Sequence, residues 1–261
     1  MTVFFHELRR GRLSLLIWSA AISFMLGVCV LIYPEMSKQM GQISEMFADM
    51  GSFSAAFGMD ELNFGEFSGY FGVECGNVLG LGGAFFSAML GISVLSKEEK
   101  EHTAEFLLTH PISRTRVLTE KLCAVLAQIL LLNGTVAVVT GACILIIGET
   151  VDAGPLALLL LAHLLLQIEL AAITFGISAL IRHSGIGIGL GLAIAFYFLN
   201  ILANLTEALE FLKALTPFGY TDGATVIKEG RIDGAGLVIG MTLACLGVIS
   251  AFLHYRKKDI I

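Results

Sequence analysis

The chain has few charged residues and few prolines for its length. Asp, Glu, Lys and Arg make up 15% of its 261 residues, whereas soluble domains have about 25%. It contains only four prolines and one tryptophan, while hydrophobic residues reach 56% and mean hydropathy is +0.83. This composition excludes an ordinary soluble domain, so a lipid bilayer is the expected environment.

Three motifs that carry chemistry in other proteins are also missing. Without a Gly-Lys-Ser or Gly-Lys-Thr sequence, the chain does not bind ATP through a P-loop of its own. An intramembrane hydrolase has no visible site, because His-Glu-x-x-His is absent and no arginine follows Glu99 by four residues. The sequence also lacks Cys-x-x-Cys, so free thiols and no metal site are expected of its five cysteines, which are Cys29, Cys75, Cys123, Cys143 and Cys245.

Long apolar runs are what the sequence has instead. A helix needs about 20 residues to cross the hydrocarbon layer, and six runs are long enough: 13–33, 71–95, 122–147, 156–181, 186–205 and 235–255. All four prolines lie between these runs, as expected if the runs are helices. We therefore predict an all-α integral membrane protein with six transmembrane helices, forming one transmembrane domain over residues 1–261.

The distribution of Lys and Arg predicts the orientation, because cytoplasmic loops retain positive charge. With both termini in the cytoplasm, twelve of the sixteen basic residues lie inside: Arg9, Arg10, Arg12, Lys97, Lys100, Arg114, Arg116, Lys121, Arg182, Arg256, Lys257 and Lys258. Lys38, Lys213, Lys228 and Arg231 lie outside. The segment 1–12 is expected to form a short helix in the cytoplasmic interface.

The loop 97–116, between the second and third spans, is the most informative segment. On a helix, Ala104, Leu107 and Leu108 share one face, and three glutamates share another. Pro111 ends that helix, and Ser113 is placed to cap the third span. The pattern favours a short amphipathic helix parallel to the membrane, and a solvated charged loop is the alternative.

The stretch from Glu98 to Arg114, Glu-x-x-x-x-Thr-x-Glu-Phe-Leu-Leu-x-x-Pro-Ile-Ser-Arg, resembles the loop between the second and third spans of type-2 (ABC-2) ATP-binding cassette exporter permeases. The segment 215–224 resembles the family's outer segment, and 255–260 its C-terminal ending. His102 and Ala104 depart from the family pattern, where glycine and a bulkier apolar residue are usual.

The resemblance implies a function and a set of partners. It implies a permease subunit of a prokaryotic plasma membrane exporter, not itself an enzyme, whose loop is a coupling helix on a separate ATPase. Two ATPase copies would bind ATP and Mg²⁺, a second permease, identical or related, would complete the path, and lipid but no nucleic acid would contact the chain. The implied ATPase contacts are Glu98, Glu101, Thr103, Glu105, Phe106, Leu107, Leu108, Pro111 and Arg114.

Two outer segments, 34–70 and 206–234, are expected to lie in the outer interface. Five of the nine methionines fall between Met36 and Met59. Adaptable packing of an interfacial helix explains them more simply than a site for a soft metal such as copper.

Polar residues inside the spans are candidates for a substrate path, because an ionisable group costs about 2.5–3.5 kcal/mol at the centre of the bilayer. The candidates are Glu169, Gln167, Gln128, Asn200 and Asn204. A buried structural role is the alternative for Glu169. A second functional hypothesis is an ion-coupled secondary transporter or channel that uses Glu169 and needs no ATPase.

Overall fold

The computed structural model describes residues 2–39, 54, 56, 66–100, 113–181 and 185–257. All regular structure in these ranges is helical, and six helical segments are long and apolar enough to cross a membrane. The first span is Thr2–Lys38, the third Arg114–Ile147, the fourth Ala153–Leu180, the fifth Ile186–Leu205 and the sixth Gly234–Lys257. The second combines Phe67–Cys75, a π-helical turn Gly76–Gly80 and Leu81–Lys100. The predicted all-helical fold is confirmed.

The helices extend beyond the apolar runs. The segment 2–12 does not form a separate helix, because it continues without a break into the first span. The third span begins at Arg114, immediately after Ser113, whose side chain accepts a hydrogen bond from the Arg116 amide at 3.3 Å. The predicted Ser113 cap is thus confirmed, and capping explains why this helix starts before its apolar run.

Two prolines lie inside helices, contrary to the expectation that all four lie between them. Pro34 lies four residues before the end of the first span, so the helix continues for only about one turn beyond it. Pro155 is in the first turn of the fourth span, where the amide of any residue would lack a partner within the helix.

The fourth span is the centre of the bundle. The second and sixth spans pack along it, the first packs on the third, and the fifth packs on the second. The backbones of the fourth and sixth spans are in direct contact at Gly176 and Gly247, where an added Cβ on Gly176 would lie 2.6 Å from the Gly247 carbonyl oxygen. Side chains larger than hydrogen do not fit at this crossing.

The segment between the fifth and sixth spans turns back into the bundle. It forms two 3₁₀ helices, Glu207–Leu215 and Gly219–Thr221, followed by an α-helix, Gly223–Glu229. Thr216 Oγ1 donates a hydrogen bond to the Phe196 carbonyl at 2.8 Å, and Phe196 precedes the end of the fifth span by nine residues, about 13 Å of helix. This "returning segment", residues 206–221, therefore lies well below the outer tip of the fifth span.

The bundle has two distinct ends and an apolar outer surface. We call the end at which the first span begins and the sixth span ends the inner end, and the opposite one the outer end. Large apolar side chains project from the spans, among them Phe24, Val138 and Leu145, which are 71%, 73% and 84% exposed. Such a surface is stable against lipid or another apolar helix, and unstable in water.

Candidate coupling and translocation site

A buried lysine joins three spans at the inner end. Lys121, in the second turn of the third span, has a fully buried side chain. Its Nζ donates to Glu7 Oε1 of the first span at 2.8 Å and to the Val94 carbonyl of the second span at 2.9 Å. These bonds compensate the ammonium for lost hydration. Loss of either partner would therefore destabilise the packing of the three spans.

The neighbouring glutamate holds the start of the first span. Glu120 Oε2 accepts hydrogen bonds from the Val3 and Phe4 amides at 3.0 and 3.2 Å, while Glu120 Oε1 pairs with Arg116 at 3.0 Å. The first amides of a helix have no partner within it. A carboxylate from the third span therefore caps the first one, where the helix dipole also favours negative charge.

The predicted coupling loop is attached to this inner end. Glu98 lies in the last turn of the second span, and Arg114 opens the third span, with its guanidinium donating to the Tyr255 carbonyl of the sixth span at 3.3 Å. The remaining predicted contacts lie outside the described residues: Glu101, Thr103, Glu105, Phe106, Leu107, Leu108 and Pro111. The third-span end of the loop is thus held by a contact to the sixth span.

A neutral polar cluster lies in the middle of the bundle. Asn133 of the third span donates to Gln167 Oε1 of the fourth at 2.7 Å, and the Gln167 amide donates back at 3.4 Å. His163, one turn away, shares a hydrogen bond of 2.8 Å with the Leu159 carbonyl. Because a carbonyl only accepts, His163 Nδ1 carries the proton. Its Nε2 is buried and has no partner among the described residues.

Glu169 is separate from that cluster and faces the sixth span. Tyr220, in the returning segment, donates its hydroxyl to Glu169 Oε2 at 2.8 Å, and both side chains are buried, at 1% exposure. A Cβ on Gly240 of the sixth span would overlap the Glu169 carboxylate. Burial is the largest cause that raises the pKa of Tyr220 above its usual range, and the neighbouring Glu169 carboxyl group raises it further. The phenol therefore stays protonated and remains a donor.

Asn200 and Asn204 line a cleft at the outer end. The cleft lies between the second and fifth spans and the returning segment. The Tyr197 hydroxyl donates to Asn77 Oδ1 at 3.2 Å across it, and Asn77 belongs to the π-helical turn. Asn200 Oδ1 is buried and accepts no hydrogen bond in the described part of the chain. Single π-helical turns often occur at functional sites.

Gln128 lies far from this cleft, at the inner end. Its side-chain amide donates to the Ala124 carbonyl of its own helix at 3.3 Å and packs against Gly11 of the first span. The five predicted path residues therefore occupy four separate places in the described part of the chain.

Sequence reasoning missed the roles of Lys121, Glu120, Glu7 and Tyr220. Lys121 is one of the twelve basic residues assigned to the cytoplasmic side, yet it shares a helix face with Val117 and Val125, four residues away on either side. A lysine on an apolar helix face is a signal for a buried partner. Tyr220 gave no such signal, because its partner lies 51 residues away.

Comparison with known protein families identifies the chain. The model of the ABC-2 family transporter protein matches residues 1–228, which is most of its length. The chain belongs to this family. No curated protein matches it significantly.

Membership of the ABC-2 family fixes the general function. The chain is a membrane permease of an ABC transporter, and the family implies an ABC ATPase as its partner. Six apolar spans and the family together confirm a multi-pass protein of the cell membrane. The family favours this function over an ion-coupled transporter built around Glu169.

Proposed function

We propose that this ABC-2 permease exports its cargo by coupling ATP hydrolysis in a separate ATPase to reorientation of its spans. Family membership over residues 1–228 carries the proposal. In it, the loop 97–116 is the coupling helix, the inner end faces the cytoplasm, and two ATPase copies bind ATP and Mg²⁺ below it.

The attachment of the loop supports this role. The loop connects the inner end of the second span to the inner end of the third, and Lys121 joins those two spans through the Val94 carbonyl. Arg114 adds a contact to the sixth span. A push on the loop therefore acts on several spans together. For ATP to shift the equilibrium, the loop must bind the closed ATPase better than the open one.

A second permease, identical or related, is part of the proposal. In the most apolar 18-residue windows of the fifth and sixth spans, only 17% and 22% of residues are buried inside the chain, against 61% and 56% in the second and fourth. We propose that part of this open surface faces the second permease, and that the cargo passes between the two. The outer cleft, with Asn200 and Asn204, is the proposed place where the cargo makes polar contacts.

Two loop variants test the coupling. The permease is purified with its ATPase in lipid nanodiscs, and ATP hydrolysis and retention of the ATPase on the tagged permease are measured. We expect Phe106→Ala and Glu105→Lys to lose ATPase binding, since a few buried aromatic or charged groups dominate such interfaces. Lys38→Met, at the exposed outer end, is the control and should bind normally. Full ATPase binding by both loop variants would refute the assignment of the loop.

A further inference from the structure

Two consecutive residues of the third span hold the start of the first. Glu120 accepts from the Val3 and Phe4 amides, and Lys121 pairs with Glu7 one turn later. The contacts thus follow two turns of the first helix and combine backbone and side-chain groups. Rotation or sliding of the first span relative to the third would break both sets at once.

Lys121 also ties this contact to the second span. Its Nζ reaches the Val94 carbonyl at 2.9 Å, one turn before Lys97, where the loop 97–116 begins. Lys121 is fully buried, and the Glu7 side chain is 13% exposed. A buried ammonium that loses a partner is strongly destabilised. The low-energy arrangement therefore keeps the inner ends of the first, second and third spans together.

We propose that Lys121 is a positioning residue that makes the N-terminal turns of the first span part of the coupling unit. The proposal rests on the proposed function, in which the ATPase moves the loop 97–116. Displacement of the loop then carries the first span with it, because the loop's third-span end and residues Val3 to Glu7 form one body. The residue acts through this attachment, and it does not contact cargo or nucleotide.

Distances between spin labels test whether the body is rigid. Labels are introduced through unnatural amino acids at Phe5 and Thr115, both exposed, so that the native cysteines stay in place. The complex with the ATPase is studied in nanodiscs without nucleotide and after trapping with ATP and vanadate. For the otherwise unchanged chain we expect the same distance distribution in both states. A shift on trapping would overturn the proposal.

The paired variant E7Q/K121M removes both charges without leaving either one unpaired. We expect it to fold, to bind the ATPase, and to show a Phe5–Thr115 distance that changes on trapping. Binding of the permease should shift the ATP concentration at which the ATPase reaches half-maximal hydrolysis. In E7Q/K121M we expect this shift to be roughly fivefold smaller, the low end of measured couplings between sites. A purely structural role would lower the melting temperature and leave both quantities unchanged.

Two further variants keep the test decisive. Glu7→Gln retains an oxygen that accepts from Lys121, so its changes in label distance and ATP dependence should be smaller than those of the double variant. It replaces the double variant in the test if that variant is poorly expressed. Lys38→Met removes an exposed lysine at the outer end and should behave like the unchanged chain. If the unchanged chain does not bind the ATPase, the proposed function fails. If it binds and E7Q/K121M matches it in distance and ATP dependence, only the role of Lys121 fails.

Discussion

The two ends of the bundle are held together by different chemistry. At the inner end several contacts between spans involve charged groups: Lys121 with Glu7, Glu120 with the first amides of the first span, and Arg114 with the Tyr255 carbonyl. Nearer the outer end, hydrogen bonds of neutral hydroxyl and amide groups join the helices, such as Thr216 to the Phe196 carbonyl and Tyr197 to Asn77.

The difference agrees with the proposed transport cycle, in which the inner end transmits force and the outer end opens. Charge-assisted hydrogen bonds are roughly twice as strong as neutral ones, so the inner end keeps its geometry while a force is applied. Hydrogen bonds between neutral groups contribute about 0.5–1.5 kcal/mol each, and several of them border a cleft. We therefore expect the outer end to open at lower cost than the inner end.

Lys121→Ala should have the largest effect on stability. It leaves Glu7 without its donor, and we expect a loss of about 3 kcal/mol, the low end for breaking a buried pair, because Glu7 keeps some exposure. Unfolding in mixed detergent micelles measures this loss. E7Q/K121M should recover part of it. If Lys121→Ala loses no more stability than the variants near the outer end described below, the inner end is not the more strongly held one.

Tyr220→Phe should have the next largest effect. The Glu169 carboxyl loses its hydroxyl donor in a buried site, which costs about 1–2 kcal/mol. The same unfolding measurement applies, with Tyr197→Phe as the matched control. Tyr197 borders the outer cleft, where water replaces the lost bond, so its loss should be smaller. Equal losses would mean that the Glu169 site is as open as the cleft.

Ser113→Ala removes the cap at the start of the third span. We expect about 1 kcal/mol, the usual value for an N-cap. Hydrogen exchange at the first turn of this helix should rise, while exchange in the fifth span stays unchanged. Thr115→Ala, exposed in the same turn, is the control. A uniform rise across the bundle would show that the cap acts on global stability instead.

Glu35→Gln should have the smallest effect. Its ion pair with Lys38 is 2.7 Å long, but both side chains are about two-thirds exposed, at 71% and 67%. Exposed pairs contribute roughly 0–1 kcal/mol, so the unfolding midpoint should hardly move. A loss as large as that of Lys121→Ala would mean that the distance between charges, and not burial, decides the contribution.

Hydropathy was sufficient to predict the spans, because a run of about 20 apolar residues has few other stable environments. The fifth span was predicted with its observed limits, 186–205. The first and third spans extend further than predicted, because helices continue through polar residues until a cap or a breaker ends them. A hydropathy window does not detect that continuation.

The site was harder to predict than the spans. The sequence identified Glu169, Gln167, Asn200 and Asn204 as polar residues in apolar helices, and the structure places them in three separate environments. Which polar groups meet depends on helix rotation, and these spans have weak amphipathic patterns because lipid and protein interior are equally apolar. The long-range pairs, Tyr220 with Glu169 and Lys121 with Glu7, depend on that rotation entirely.

The crossing at Gly176 and Gly247 gives the fourth and sixth spans a smooth point of contact. With no side chain interlocked there, a tilt of one helix against the other needs no rotamer change at the crossing itself. Such a crossing is a natural pivot: a small inward swing of one helix end produces an outward swing of the opposite end. Replacing either glycine with a larger residue would remove that freedom, even in a variant that still folds.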